Sequence, residues 1–111
     1  VVADQIGCPT YANGLAAFLW ALSKETSVES IYNWSDLGVA SWYDFAVAIQ
    51  KAGLELGLLN KSIPITPINT EDYPTPAKRP KFSLLDHSCN NQVYPSRHWQ
   101  LNLAQMLKAL L

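Results

Sequence analysis

Five of the chain's seven prolines fall between residues 62 and 80. Proline fixes φ and removes a backbone donor, so neither a helix nor a central strand runs through that stretch. The chain must carry a long ordered loop there, with room for one short strand near residues 63–65. What flanks the loop sets the fold class. Leu15, Phe18, Leu19 and Leu22 recur at helical spacing and predict a helix over residues 13–23, with Thr10 or Asn13 supplying a capping oxygen. Phe45, Ile49, Ala52 and Leu56 form a second apolar stripe. Ser41, three residues before Asp44, predicts a capping box at its start, and Gly57 its end. Leu103, Met106, Leu107 and Leu110 predict a third helix. Strand signals are short: residues 1–3, the aromatic run 30–34, which reads as buried, and residues 82–86. Gly7 and Pro9 turn residues 4–10 into a loop, and Ser88 is placed to cap a brief helical turn. About three helices with a few short strands read as α/β, or as α+β for an isolated piece whose sheet is incomplete.

The 111 residues are 49% hydrophobic and 15% charged, enough apolar material for one modest core. A net charge of -1 builds in no attraction to a nucleic-acid backbone or an anionic membrane. The longest apolar stretch, residues 15–22, falls short of the roughly 20 residues a membrane span requires, and no export signal opens the chain. A cytoplasmic location is expected. Cys8 and Cys89 stand far apart without a neighbouring ligand pair, so reduced thiols are expected and no metal is signalled. A start at Val1, already apolar and without an initiator methionine, predicts that further chain precedes these residues.

Four segments carry chemical information. Asp4-Gln-Ile-Gly-Cys-Pro-Thr10 places hydrogen-bonding Gln5 and Thr10 around Gly7, which allows close approach or a positive φ, and Pro9, which stiffens the exit. Such a loop suits a sugar or nucleotide, and it suits equally a plain turn in which Thr10 caps the next helix and Gln5 ties down the loop. Ile31-Tyr-Asn and Ser41-Trp-Tyr-Asp-Phe-Ala46 follow. The fourth segment, Tyr73-Pro-Thr-Pro-Ala-Lys-Arg-Pro80, leads into Ser83-Leu-Leu-Asp-His-Ser88. Lys78 and Arg79 sit in the chain's basic cluster, and an Arg fork on a proline-stiffened loop can hold a diphosphate bidentately. Pairing of Arg79 with Asp72 or Asp86 is the competing reading. Trp34, Trp42, Tyr43 and Trp99 are read as core or contact residues ahead of stacking platforms. His87 and His98 are read as structural or surface groups.

In this order the four segments resemble the dTDP-4-dehydrorhamnose reductases of the extended short-chain dehydrogenase superfamily. The resemblance implies the C-terminal substrate-binding part of a Rossmann-type enzyme that reduces dTDP-4-dehydro-L-rhamnose to dTDP-L-rhamnose. It implies NADPH or NADH as cofactor, held mainly by an N-terminal dinucleotide-binding domain outside residues 1–111. The partners implied are a dTDP-deoxysugar, that missing domain and a homodimer mate. The substrate-binding residues implied are Gln5, Gly7, Pro9, Thr10, Lys78 and Arg79, with none of them catalytic. Cys8 departs from the family's usual Ser, and Cys89 from a frequent Lys.

Hydride transfer in that superfamily uses a glycine-rich strand-to-helix turn and a Tyr-x-x-x-Lys pair. Neither pattern occurs in these 111 residues. Catalysis is therefore expected from residues outside them. Two rival readings are a non-catalytic regulatory subunit resembling methionine adenosyltransferase β and a stand-alone interaction module.

Overall fold

A computed structural model of the chain describes residues 1–27, 29–87 and 92–111. The elements are β1 (Ile6–Gly7), α1 (Ala12–Leu22), β2 (Ala40–Ser41), α2 (Trp42–Glu55) and α3 (Trp99–Lys108), with a 3-10 turn at Thr70–Asp72. The expected three helices with little sheet are present.

α2 starts as its sequence predicts. The Ser41 hydroxyl accepts from the Asp44 amide at 3.0 Å, and the Asp44 carboxylate accepts from the Ser41 amide at 2.8 Å. This reciprocal pair satisfies two amides that a helix start leaves free. The helix ends at Glu55 with Leu56 as its C-cap, followed by Gly57 at φ 73°, where an L side chain is strained. Its stripe packs on α3: Phe45, Ile49 and Ala52 lie against a buried cluster of Ala40, Trp99, Leu103 and Leu107. Phe45 meets the Trp99 ring edge-on at 5.9 Å. Each large apolar side chain buried this way contributes about 1.5–3 kcal/mol. α3 is capped by His98, whose Nδ1 accepts from the Gln100 amide at 3.3 Å. The helix stops before Leu110, which is 66% exposed.

α1 spans nearly the predicted range, but neither Thr10 nor Asn13 caps it; the capping position is Tyr11, which makes no side-chain cap bond. Phe18, 2% exposed, anchors the helix by stacking on Trp34 at 5.6 Å and meeting the Tyr32 edge at 6.1 Å. Those contacts explain the aromatic run at 30–34. It is not a strand: Trp34 is buried, Ile31 is 79% exposed, and the aromatic composition serves ring packing on Phe18 instead of a ladder.

The other strand expectations shift as well. Residues 63–65 form no strand; the Ile63 amide instead donates to Gln50 Oε1 at 2.7 Å, and pairing moves on to Ile68, bridged in parallel with Val2. Of residues 82–86, Phe82 alone forms a bridge, to Ile6. Within the predicted 4–10 loop, Ile6 and Gly7 pair antiparallel with Ser41 and Ala40. The brief turn expected at Ser88 and the residue Cys89 lie outside the described residues.

The molecule measures 50 × 36 × 21 Å with a radius of gyration of 16.3 Å. A compact domain of this length has about 13 Å. The excess reflects the spread proline-rich arm and a thin core. On α1, Leu19 and Trp20 are 54% and 68% exposed. None of the described helices is long and apolar enough to cross a membrane.

Candidate functional site

The Asp4–Thr10 segment is held from three directions. Asp4 Oδ1 accepts from the Thr70 amide at 2.8 Å and the Thr70 hydroxyl at 2.7 Å. The Thr70 hydroxyl bond is the main reason the Asp4 carboxyl stays below its ordinary value. The Gln5 amide bridges two elements: Nε2 donates to Thr70 Oγ1 at 3.2 Å, and Oε1 accepts from Trp42 Nε1 at 3.2 Å. Ile6 donates to the Lys81 carbonyl and accepts from the Ser83 amide, both at 2.8 Å. These bonds draw the end of the proline-rich arm alongside β1.

Gly7 serves close approach and not a positive φ. A Cβ there would sit 2.8 Å from the Ser83 hydroxyl.

Between the arm and β2 lies a cleft of about 340 Å³. β1 runs between the two, and Gln5, Gly7 and Pro9 line the cleft together with Arg79, Pro80 and Ser83 from the arm and Ser41, Trp42 and Phe45 from the start of α2. Among the described residues its lining holds one cation, Arg79, and no carboxylate, which favours an anionic ligand. Trp42 is 58% exposed, with its indole at the cleft. Its predicted place in the core is corrected: the α2 stripe continues through Trp42, but the core ends one turn further along. No local signal separates Trp42 from that stripe; the β1–β2 pairing does. Trp34 and Trp99 are buried as read from the sequence.

Four of the six residues singled out from the sequence therefore line one cleft: Gln5, Gly7, Pro9 and Arg79. Lys78 is exposed outside it. Thr10 faces away, its hydroxyl donating to the Cys8 carbonyl at 3.2 Å and accepting from the Asp36 amide at 3.4 Å. Ser41, Trp42 and Ser83 are lining residues that sequence reasoning did not mark for binding.

Cys8 is half-buried and its thiol donates to the Asp36 carbonyl at 3.0 Å. Burial, then the nearby Asp36 charge, pushes the thiol up to about 11. At neutral pH it is an un-ionised hydrogen-bonding group, not a nucleophile. No cluster of three or more His, Cys, Asp or Glu side chains suited to a metal occurs among the described residues.

The turn from β1 into α1 is where a dinucleotide would need its phosphate cradle. The Asp36 carboxylate occupies that helix start, with Oδ2 accepting from the Tyr11 amide at 3.2 Å. An anion is thus already built in where a pyrophosphate would bind, and Pro9 stands where the cradle needs glycine. This turn does not fit a nicotinamide dinucleotide.

A cleft of one guanidinium, neutral hydrogen-bonding groups and an indole has the chemistry of a binding surface on an α/β scaffold. The chain belongs to the family described as the RmlD substrate binding domain, which it matches over residues 1–111. It is 36% identical over 110 residues to the spore coat polysaccharide biosynthesis protein SpsK of Bacillus subtilis, covering 97% of this chain and 36% of that protein. It is 42% identical over 99 residues to dTDP-4-dehydrorhamnose reductase of Aggregatibacter actinomycetemcomitans, covering 85% and 34%. The 2.65 Å crystal structure of dTDP-4-dehydrorhamnose reductase from Bacillus anthracis in complex with NADP superposes with a TM-score of 0.83 at 31% identity, over 100% of this chain and 37% of that one. The chain thus spans little more than a third of these relatives' length.

Proposed function

We propose that residues 1–111 are the substrate-binding region of a longer cytoplasmic enzyme that reduces dTDP-4-dehydro-L-rhamnose to dTDP-L-rhamnose. The observation that carries this reading is the cleft lined by both the family-like loop at Gln5, Gly7 and Pro9 and Arg79, with no carboxylate among the described lining residues. Arg79 takes the diphosphate of the nucleotide sugar through its planar fork. Trp42 offers an apolar face to the base or sugar. Lys78, exposed beside Arg79, adds long-range attraction, and Thr10 acts by holding the loop's exit.

NADPH or NADH is bound outside these residues in this reading, by an N-terminal dinucleotide-binding domain that also supplies the proton donor. The relatives' names support a reductase segment over a regulatory subunit, and the spread shape supports a segment of a larger protein over an isolated module. This segment contributes affinity and orientation: a hydride acceptor must be held within about 3–3.5 Å of its donor.

Titration calorimetry of the full-length protein with dTDP-rhamnose and with NADPH tests the assignment. Arg79→Ala is expected to weaken dTDP-rhamnose binding about 10- to 100-fold, the loss of a charge-assisted bidentate contact, and to leave NADPH binding unchanged. Equal loss of both ligands, or of neither, contradicts it.

A further inference from the structure

We propose that Asp36 is a positioning residue, which fixes the exit of the cleft-forming loop and so sets the cleft's affinity without touching its ligand. This rests on the nucleotide-sugar reading of the cleft given above. Asp36 is 2% exposed and is absent from the cleft lining. Three different groups of Asp36 hold three positions of the loop. Its carbonyl accepts from Cys8 Sγ at 3.0 Å, its amide donates to Thr10 Oγ1 at 3.4 Å, and its Oδ2 accepts from the Tyr11 amide at 3.2 Å.

Burying a carboxylate is costly where no cation among the described residues pairs with it, and Oδ1 has no hydrogen-bond partner. The compensation is positional. The carboxylate lies at the start of α1, where the helix has no cap of its own and its free amides carry partial positive charge. Five residues further on, the same backbone becomes Ser41 of β2, which pairs with Ile6 of β1. The loop is therefore referenced at both ends to one segment, through the ladder at residues 6–7 and through Asp36 at residues 8–11.

The test uses the full-length protein and four variants, each titrated with dTDP-rhamnose and with NADPH. Asp36→Ala is expected to raise the dTDP-rhamnose Kd about tenfold, as a misplaced binding wall would, with the NADPH Kd unchanged. Asp36→Asn keeps an acceptor for Tyr11 and is expected to stay within about threefold of the parent. Should Asp36→Ala fail to fold, Thr10→Val removes the hydroxyl that links the Asp36 amide to the Cys8 carbonyl. It tests the backbone part of the same anchor, which Asp36→Ala leaves in place, with an increase of about threefold expected.

A purely structural role for Asp36 would lower the melting temperature yet leave the Kd of the folded variants unchanged, and that result overturns the proposal. An Asn variant as weak as the Ala variant overturns it too. Arg79→Ala separates the two layers. If it weakens dTDP-rhamnose binding and the Asp36 and Thr10 variants do not, positioning alone fails. If Arg79→Ala has no effect, the cleft is not the sugar site and both readings fall.

Discussion

The two long helices near the cleft begin in opposite ways. α2 carries its own cap, with Ser41 and Asp44 exchanging bonds within four residues. α1 has no side-chain cap, and the Tyr11 amide at its start is met by Asp36, 25 residues further along the chain. The self-capped helix belongs to the core with α3, where its stability is local. The helix with the borrowed cap leads out of the loop that walls the cleft, so the loop's shape depends on a distant segment. Substitutions in the buried α2–α3 core should accordingly cost stability before binding, and those on the loop side binding before stability.

The largest effect is expected at the core. Trp99→Ala removes a side chain that is 4% exposed and meets Phe45, and should destabilise the full-length protein by about 3–5 kcal/mol in urea denaturation. Gly38→Ala comes next. Gly38 sits at φ 100°, and a Cβ there would lie 2.5 Å from His98 Nε2 and 2.8 Å from Trp99 Cδ1. A loss of about 1–3 kcal/mol is expected from backbone strain and this crowding at the start of α3.

Ser41→Ala should cost about 1 kcal/mol in urea denaturation, the usual loss of an N-cap. The smallest effect is on pH dependence. The Asp44 carboxyl is lowered from 3.8, first by the bond from the Ser41 amide and then by the Ser41 side chain. A lowered carboxyl contributes stability above its unfolded value and loses it as pH falls through the folded one. Asp44→Asn should therefore flatten the stability curve below about pH 4 and leave the curve's shape near neutrality as it was.

Much of this contrast was legible in the sequence, unevenly so. The helices show through because their signals are local: the stripe from Phe45 to Leu56, the Ser41–Asp44 spacing and the punctuation by Gly57 all lie within one element. Gln5, Gly7, Pro9 and Arg79 emerged as one group by their resemblance to a family's motifs, and the cleft gathers them.

What stayed hidden is non-local. Ile6 pairs with Ser41 and bridges to Phe82, and Val2 bridges to Ile68, across separations that no short window encodes. Single bridges need no alternating run to announce them, so the strands read at residues 63–65 and 82–86 were misplaced. Asp36 was equally invisible. It stands in a run that reads as a plain turn, and its role arises only when the chain folds back onto Cys8, Thr10 and Tyr11.

The central claim is that the cleft between Gln5–Pro9 and Arg79–Ser83 holds the nucleotide sugar. A crystal structure of the full-length protein with dTDP-rhamnose tests it most directly. The account predicts ligand density in that cleft, with the Arg79 guanidinium on the diphosphate and the Trp42 indole against the base or sugar. Ligand density elsewhere, with the cleft filled by side chains from the rest of the protein, would contradict it.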